Sequence, residues 1–236
     1  FTGESGVGKE LFARMLHEIS QRSRGPFVSI NCAAIPDTLV EAELFGVERG
    51  AYTGASASRP GRFERSSGGT RFPDQVASLR LVAQSKLPRA RQEGEIERVG
   101  GIRPIRLDLR VVAACNVDLR EEVRQGRFRE DLFYRLNVYP IHLPPLRSRS
   151  EDIPVLMTHF LRLYRERYGR EIHGFTPRAM RAMLTYTFPG NIRELQNMIE
   201  RAVIAANDES HIDTVHLFRD ELFSSKPSFL MDEGGR

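Results

Sequence analysis

The chain has 236 residues, 40% of them hydrophobic, enough for one large domain or a core domain with a small helical lid. No run approaches the roughly 18 to 20 apolar residues of a membrane span and no signal peptide opens the chain, so a soluble, cytoplasmic protein without a membrane partner is expected. Cys32 and Cys115 are too few for a disulfide scaffold and read as reduced core thiols, while a net charge of +4 interspersed with acidic residues argues against a dedicated nucleic-acid face.

In chain order, the first pattern is Gly3-Glu4-Ser5-Gly6-Val7-Gly8-Lys9, the spacing of a phosphate-binding loop. Its glycines let backbone N–H groups wrap the phosphates, and Lys9 neutralises the terminal ones. Glu10 stands where many such loops carry a Mg²⁺-binding Ser or Thr. Such a loop normally follows a full buried strand, so a sequence opening at Phe1 reads as a fragment lacking that strand. Leu11, Phe12, Met15, Leu16 and Ile19 recur at helical spacing and predict a helix whose N-terminus faces the phosphates. Residues 27–30 read as a strand ended by Asn31, and residues 109–114 as another, ended by Cys115 and Asn116. Alternating strands and helices predict an α/β core, a parallel sheet between helices, with ligands at the carboxyl ends of the strands, where Asn31, Asp74 and Asn116 fall. Between these strands, Gly50-Ala51-Tyr52-Thr53-Gly54-Ala55 places an amphipathic ring and a hydroxyl between glycines. A tip of that kind can bind a partner in one nucleotide state and release it in another.

After Pro144-Pro145 the pattern becomes helical only. Residues 153–168 carry Leu156, Phe160, Leu163 and Tyr164 on one face, and Thr176-Pro177 reads as an N-cap followed by Pro at the first helical position. A third helix starts at Asn191, with Glu194 as in a capping box, and buries Ile192, Leu195, Met198, Ile199 and Ala202. The expected organisation is a nucleotide-binding core over residues 1–146, a helical lid over 147–223 and a linker or tail over 224–236. The six histidines share no metal-ligand spacing.

Taken together, these motifs resemble the AAA+ domain of the bacterial enhancer-binding proteins, the ATPases that activate sigma-54 RNA polymerase. The likeness continues through Phe45-Gly46, Glu93-Gly94-Glu95, Gly100-Gly101, the run Gly126-Arg127-Phe128-Arg129-Glu130-Asp131-Leu132, then Leu143-Pro144-Pro145-Leu146-Arg147, and Phe188-Pro189-Gly190-Asn191-Ile192-Arg193-Glu194-Leu195. The resemblance accounts for Glu10 and implies ATP and Mg²⁺ as cofactors. It makes residues 50–55 the sigma-54-contacting loop, with Tyr52 for the commoner Phe, a variant reminiscent of regulators of aromatic-compound degradation. It makes Asn31 the switch sensing the γ-phosphate, Asn116 the sensor on the core sheet, and Arg129 and Arg135 arginine fingers supplied across the interface of a hexameric ring. Arg193, off the apolar face of its helix, becomes the lid arginine touching the nucleotide. For Arg129 a plain surface ion pair with Glu130 or Asp131 is the alternative. No helix-turn-helix is evident, so contact with DNA would need a domain absent from this chain.

Residues 71–91 break the pattern. Family members end a buried strand in Asp-Glu, the Asp organising Mg²⁺ and the Glu polarising the attacking water; here the strand reads Gly68-Gly69-Thr70-Arg71-Phe72-Pro73-Asp74-Gln75, which retains Asp74 but replaces the catalytic carboxylate by Gln75. Cys115 replaces the usual Thr before Asn116. Pro73 removes a ladder donor from a central strand and Arg71 is expected to escape burial. Pro88 and Arg91 replace leucines of the following helix. Leu to Pro, Leu to Arg and Glu to Gln are single-base changes, which leaves two readings: a misread stretch of a cloned fragment, or a homologue whose ATPase is silent and which acts as an ATP-gated sigma-54-binding module. A further AAA+ machine, such as a chelatase or protease subunit, is disfavoured by residues 50–55.

Overall fold

In the computed structural model the chain divides into two compact units, Phe1–Pro144 and Pro145–Arg236. The structure describes residues 1–52, 54–92, 94–206 and 210–218, the side chains of 88–92 excepted. Thr53, Glu93, the side chains of Pro88 and Arg91, and the expected tail at 224–236 lie outside the described residues.

The first unit runs α1 (Lys9–Glu18), β1 (Phe27–Asn31), α2 (Val40–Phe45), β2 (Gly46–Val47), β3 (Arg59–Pro60), α3 (Arg62–Arg65), β4 (Thr70–Asp74), α4 (Leu81–Gln92), β5 (Glu95–Ile96), β6 (Ile105–Arg106), β7 (Arg110–Val111), α5 (Leu119–Arg124) and α6 (Glu130–Leu136). Its central sheet is parallel in the order β1-β4-β7, with Phe27 beside Thr70 and Asn31 beside Asp74. Past β7, Thr2 makes parallel bridges to both Cys115 and His142. Residues 1–2 thus fill the sheet position expected of the strand ahead of the phosphate loop. Side chains alternate across the sheet. Ile30 packs with Phe45, Phe63, Val76 and Leu132 on one face, while Phe72 packs with Ala13 and Ala114 on the other.

Helix α1 turns the opposite way from its apolar pattern. Lys9, Ala13 and His17 face inward, whereas Leu11, Phe12, Met15 and Ile19 are exposed. The phosphate loop fixes the rotation: Lys9 must point into the loop, and residues four and eight further on share its face. His17 Nδ1 then meets Thr70 Oγ1 at 3.0 Å and its ring lies 5.5 Å from that of Phe27.

Strand β4 carries the second correction. Arg71 does not escape burial but is fully enclosed, its Nε and Nη2 donating to Ser66 Oγ at 3.1 and 2.9 Å and its guanidinium stacked 4.3 Å over Phe63. Its Nη1 is buried without a hydrogen-bond partner among the described residues. Beside it, regular β4–β7 pairing ends at Arg71 and Val111, so the strand expected over 109–114 is regular only at Arg110–Val111. The N–H groups of Val112 and Ala114 still donate to the carbonyls of Arg71 and Pro73, but Pro73 has no N–H to return.

The second unit comprises α7 (Asp152–Tyr168), β8 (Gly174–Phe175), α8 (Pro177–Thr185), α9 (Asn191–Ala205), β9 (His211–Ile212) and α10 (Thr214–Leu217). It is not helical only, because β8 and β9 form a short parallel pair. Thr176 caps α8, its hydroxyl accepting the Ala179 N–H, and Pro177 opens the helix as predicted. In α7 the buried face is Ile153, Met157, Phe160, Leu161 and Tyr164; Leu163 lies outside it. The cap of α9 also shifts: Gly190 is the N-cap, Glu194 accepts its N–H at 2.8 Å, and Asn191 is fully buried with its Oδ1 accepting the Leu146 N–H.

Candidate nucleotide site and partner loop

The sheet order brings the predicted site residues to one edge. Parallel β1 and β4 end side by side at Asn31 and Asp74, and Thr2 bridges Cys115, so Gly3 and Asn116 both leave the sheet at the same level. The loop from Gly3 to Lys9 turns through positive φ at Gly3, Gly6 and Gly8. At Gly3 a Cβ would lie 2.6 Å from the Leu143 carbonyl oxygen, so only glycine fits. Val7 is fully buried and anchors the loop, and Lys9 is 8% exposed with Nζ donating to the carbonyls of Gly3 and Glu4 at 2.8 and 2.9 Å. Its ammonium is thereby held inside the loop at the N-terminus of α1, where helix N–H groups favour an anion. Ser5 and Glu10 lie on the exposed side of this turn.

Asn31 caps the turn that follows β1, its Oδ1 accepting the Ala33 N–H at 3.1 Å. Asp74 Oδ1 accepts the backbone N–H of Gln75 at 3.0 Å. Gln75 adopts a left-handed conformation, φ 54 and ψ 47, which costs a residue with a Cβ about 1–2 kcal/mol. Behind this edge, burial pushes the Cys32 thiol up to about 12, assisted by the Asp74 carboxylate, and burial also raises Cys115. Both thiols are buried and free.

The two arginines expected as fingers sit differently. Arg129 forms a bidentate pair with Asp131, both bonds 3.0 Å, which raises the guanidinium pKa and lowers that of the carboxyl. The surface ion pair weighed as its alternative is therefore present. Arg135 is half-buried and lines a small apolar cavity with Pro73, Leu132 and Leu136. Arg193 is exposed on α9, in the second unit.

In the loop at 50–55, Gly50 and Gly54 take positive φ with nothing near where a Cβ would stand. Tyr52 is exposed, while Ala55 is buried and Ala51 half-buried against Ala42, Val47 and Val99. The alanines anchor the loop and the tyrosine stands out.

Two residues that pattern reading missed hold these parts in place. Arg98 donates to Glu64 at 2.9 and 2.7 Å and to Glu48 at 3.0 Å, clasping the base of the loop; the Glu64 bonds raise its pKa. Buried Gln84 of α4 donates to the carbonyls of Leu79 and Arg127 and accepts the Arg129 N–H at 2.8 Å, fixing the arginine segment to α4. A glutamine amid apolar helix positions was the available signal for the second; nothing local marked the first.

Residues 1–142 match the sigma-54 interaction domain, and residues 147–229 match the AAA+ ATPase lid domain. The chain belongs to the sigma-54 interaction domain family. It is 53% identical over 232 residues to the transcriptional regulatory protein XylR of Pseudomonas putida, covering 98% of this chain and 41% of that protein. It is 52% identical over 216 residues to the phenol regulator MopR of Acinetobacter guillouiae, covering 92% and 39%. The crystal structure of NtrX from Brucella abortus in complex with ATP superposes with a TM-score of 0.87 at 34% identity, covering 98% of this chain and 51% of that one. The chain thus spans about two fifths of the length of these two curated relatives. Membership makes it an AAA+ domain of the sigma-54 activator type with a nucleotide-binding core and a lid. Among the described residues no helix is long and apolar enough to cross a membrane.

Proposed function

We propose that this sigma-54 interaction domain binds ATP on the Gly3–Lys9 loop, hydrolyses it between subunits of a hexameric ring, and uses the Tyr52 loop to remodel the closed complex of sigma-54 RNA polymerase holoenzyme. The observation carrying the proposal is continuity. Asn31, at the nucleotide edge, leads through its capped turn into α2 and β2, and β2 leads directly into the loop that presents Tyr52. A change at the phosphate edge has a short, packed path to the partner tip.

In this reading the loop amides and Lys9 bind and orient the phosphates. Asp74, a carboxylate at the sheet edge with an oxygen directed along its own backbone, suits a hard cation and would hold Mg²⁺, which supplies charge neutralisation at the phosphates. Asn31 and Asn116 sense the terminal phosphate, Arg193 is a nucleotide-binding residue, and Arg129 and Arg135 stabilise transition-state charge in a neighbouring subunit. Glu4, Ser5, Gly6, Val7, Gly8 and Glu10 complete the phosphate loop; Gly50, Ala51, Thr53, Gly54 and Ala55 frame the Tyr52 contact. DNA is reached through a domain outside this chain, and the protein works in the cytoplasm.

Gln75 favours a second reading. Its amide can orient a water but cannot take its proton, and on this reading the chain is an ATP-gated module that holds sigma-54 without cycling.

Capture of sigma-54 on the immobilised chain tests the proposal. Capture should require ATP and vanish in both Lys9→Ala and Tyr52→Ala, the latter retaining ATP binding within a few-fold. Capture indifferent to ATP and to Tyr52 would sink it.

A further inference from the structure

Residues 125–129 lie between α5 and α6 and end on Arg129, yet neither a helix nor a strand holds their backbone. The first part of the segment is tied back to α5, the N–H groups of Arg127 and Phe128 donating to the Glu122 carbonyl at 2.9 and 3.1 Å. The second part is held by a side chain. Gln84 Nε2 donates to the Arg127 carbonyl at 3.0 Å, and Gln84 Oε1 accepts the Arg129 N–H at 2.8 Å. One amide thus pairs with alternate residues of the segment, as a residue of a neighbouring parallel strand would, and buried Phe128 stands between the two bonds. The other Nε2 hydrogen goes to the Leu79 carbonyl at 2.7 Å. Gln84 is fully buried, and both its N–H donors and its carbonyl oxygen are engaged.

Leu79 closes the short turn that follows Gln75, and that turn is itself anchored to the sheet by the Val76 N–H on the Ala114 carbonyl at 3.1 Å. Gln84 therefore joins the end of β4 to a segment 43 and 45 positions further along the chain. The Asp131 carboxylate holds the guanidinium of Arg129, and Gln84 holds its backbone. A charged group displaced by about 1 Å from its productive place loses on the order of 10²-fold in rate, so the backbone grip matters to whatever Arg129 reaches. We propose that Gln84 is a positioning residue for Arg129, setting the arginine that one copy offers to the nucleotide of the next and leaving the phosphate loop of its own copy intact. The inference rests on the role in trans proposed for Arg129. In a head-to-tail ring each copy gives a phosphate loop to one neighbour contact and an arginine to the other. Variants then fall into two complementing classes, site-defective and arginine-defective, and Gln84 belongs with the second. A residue that served the fold alone would belong to neither.

The test is phosphate release by assembled mixtures of variants, all in a Gln75→Glu background, beside ATP-binding titrations of each. Gln84→Met removes the amide at nearly the same length and volume. Alone it should bind ATP within a few-fold of the parent and release phosphate at least about tenfold more slowly, a smaller loss than the roughly 10³- to 10⁵-fold effect of an arginine finger because the arginine is misplaced and not absent. Mixed with Lys9→Ala subunits it should regain activity above that of either variant alone; mixed with Arg129→Ala subunits it should not. If Arg129→Ala is rescued by Lys9→Ala but Gln84→Met is not, or if Gln84→Met is as active as the parent, the positioning role is overturned and the trans reading of Arg129 stands. If Arg129→Ala with Lys9→Ala shows no activity, the trans reading falls and the positioning role with it. Should Gln84→Met fail to bind ATP, Gln84→Asn, one methylene shorter, takes its place; loss of ATP binding in both would make Gln84 a residue of the fold alone and overturn the proposal.

Discussion

At the scale of single residues, Gln75 and Arg71 set what the chain can do and how well it holds together. In the proposed function, phosphate binding depends on Lys9, the loop amides and Asp74, whereas activation of water needs a carboxylate at position 75. Gln75→Glu should therefore raise steady-state phosphate release at least about tenfold while leaving ATP affinity unchanged; equal turnover in the two proteins would show that residue 75 does not activate the water. Among the described residues, Arg71 is a buried cation with only Ser66 and the Phe63 ring to receive it. Replacing such an ion by a well-packed apolar residue gains about 1–4 kcal/mol, so Arg71→Leu should shift the urea midpoint upward by that equivalent. Burial lowers the Arg71 pKa from its ordinary value to about 9, so above that pH the unfolded chain binds the additional proton. The parent's stability contribution from this group then rises with pH through that window, and the advantage of Leu should be full below about pH 9 and shrink above it. An advantage that grows above pH 9 would contradict the burial of the charge.

At the scale of elements, β4 is the weak member of the core. Pro73 ends the regular ladder with β7 and borders an apolar cavity of about 20 Å³ lined by Phe63, Val76, Leu87, Leu132 and Leu136. Helix α4 also runs through position 88, where Pro withdraws an N–H from the helix and costs about 3 kcal/mol. Pro73→Leu restores a donor to the ladder and fills space beneath the sheet, so it should stabilise the chain by about 1–3 kcal/mol in equilibrium unfolding. A destabilised Leu variant would mean that the neighbouring side chains have closed around the proline. By contrast the loop elements are well braced, since Arg98 and the shared apolar cluster tie β2, α3 and the 98–104 turn together.

At the scale of the whole molecule, the proposed ring makes a prediction about which arginine acts between copies. Arg135 borders a core cavity, so removing it would mix folding with chemistry; Arg129 is on the surface and paired only with its near neighbour Asp131 among the ion pairs described. In a Gln75→Glu background, mixing Arg129→Ala with Lys9→Ala subunits should recover part of the ATPase activity that each lacks alone, because some junctions then join an intact loop to an intact arginine. Complete inactivity of assembled mixtures would exclude a finger supplied in trans. The sequence by itself determined the glycine-bounded loops at 3–9 and 50–55, the parallel α/β core and the family, because each is written in contiguous residues of fixed spacing. It also exposed Gln75, Arg71 and Pro73 as departures. Only the tertiary structure decided which face of α1 is buried, since the demand that Lys9 point inward outranks the apolar stripe; that Arg71 stays enclosed; and that Arg98 joins Glu64 and Glu48 across 34 and 50 positions of chain. Those outcomes depend on which distant residues meet, and periodicity along the chain carries no record of that.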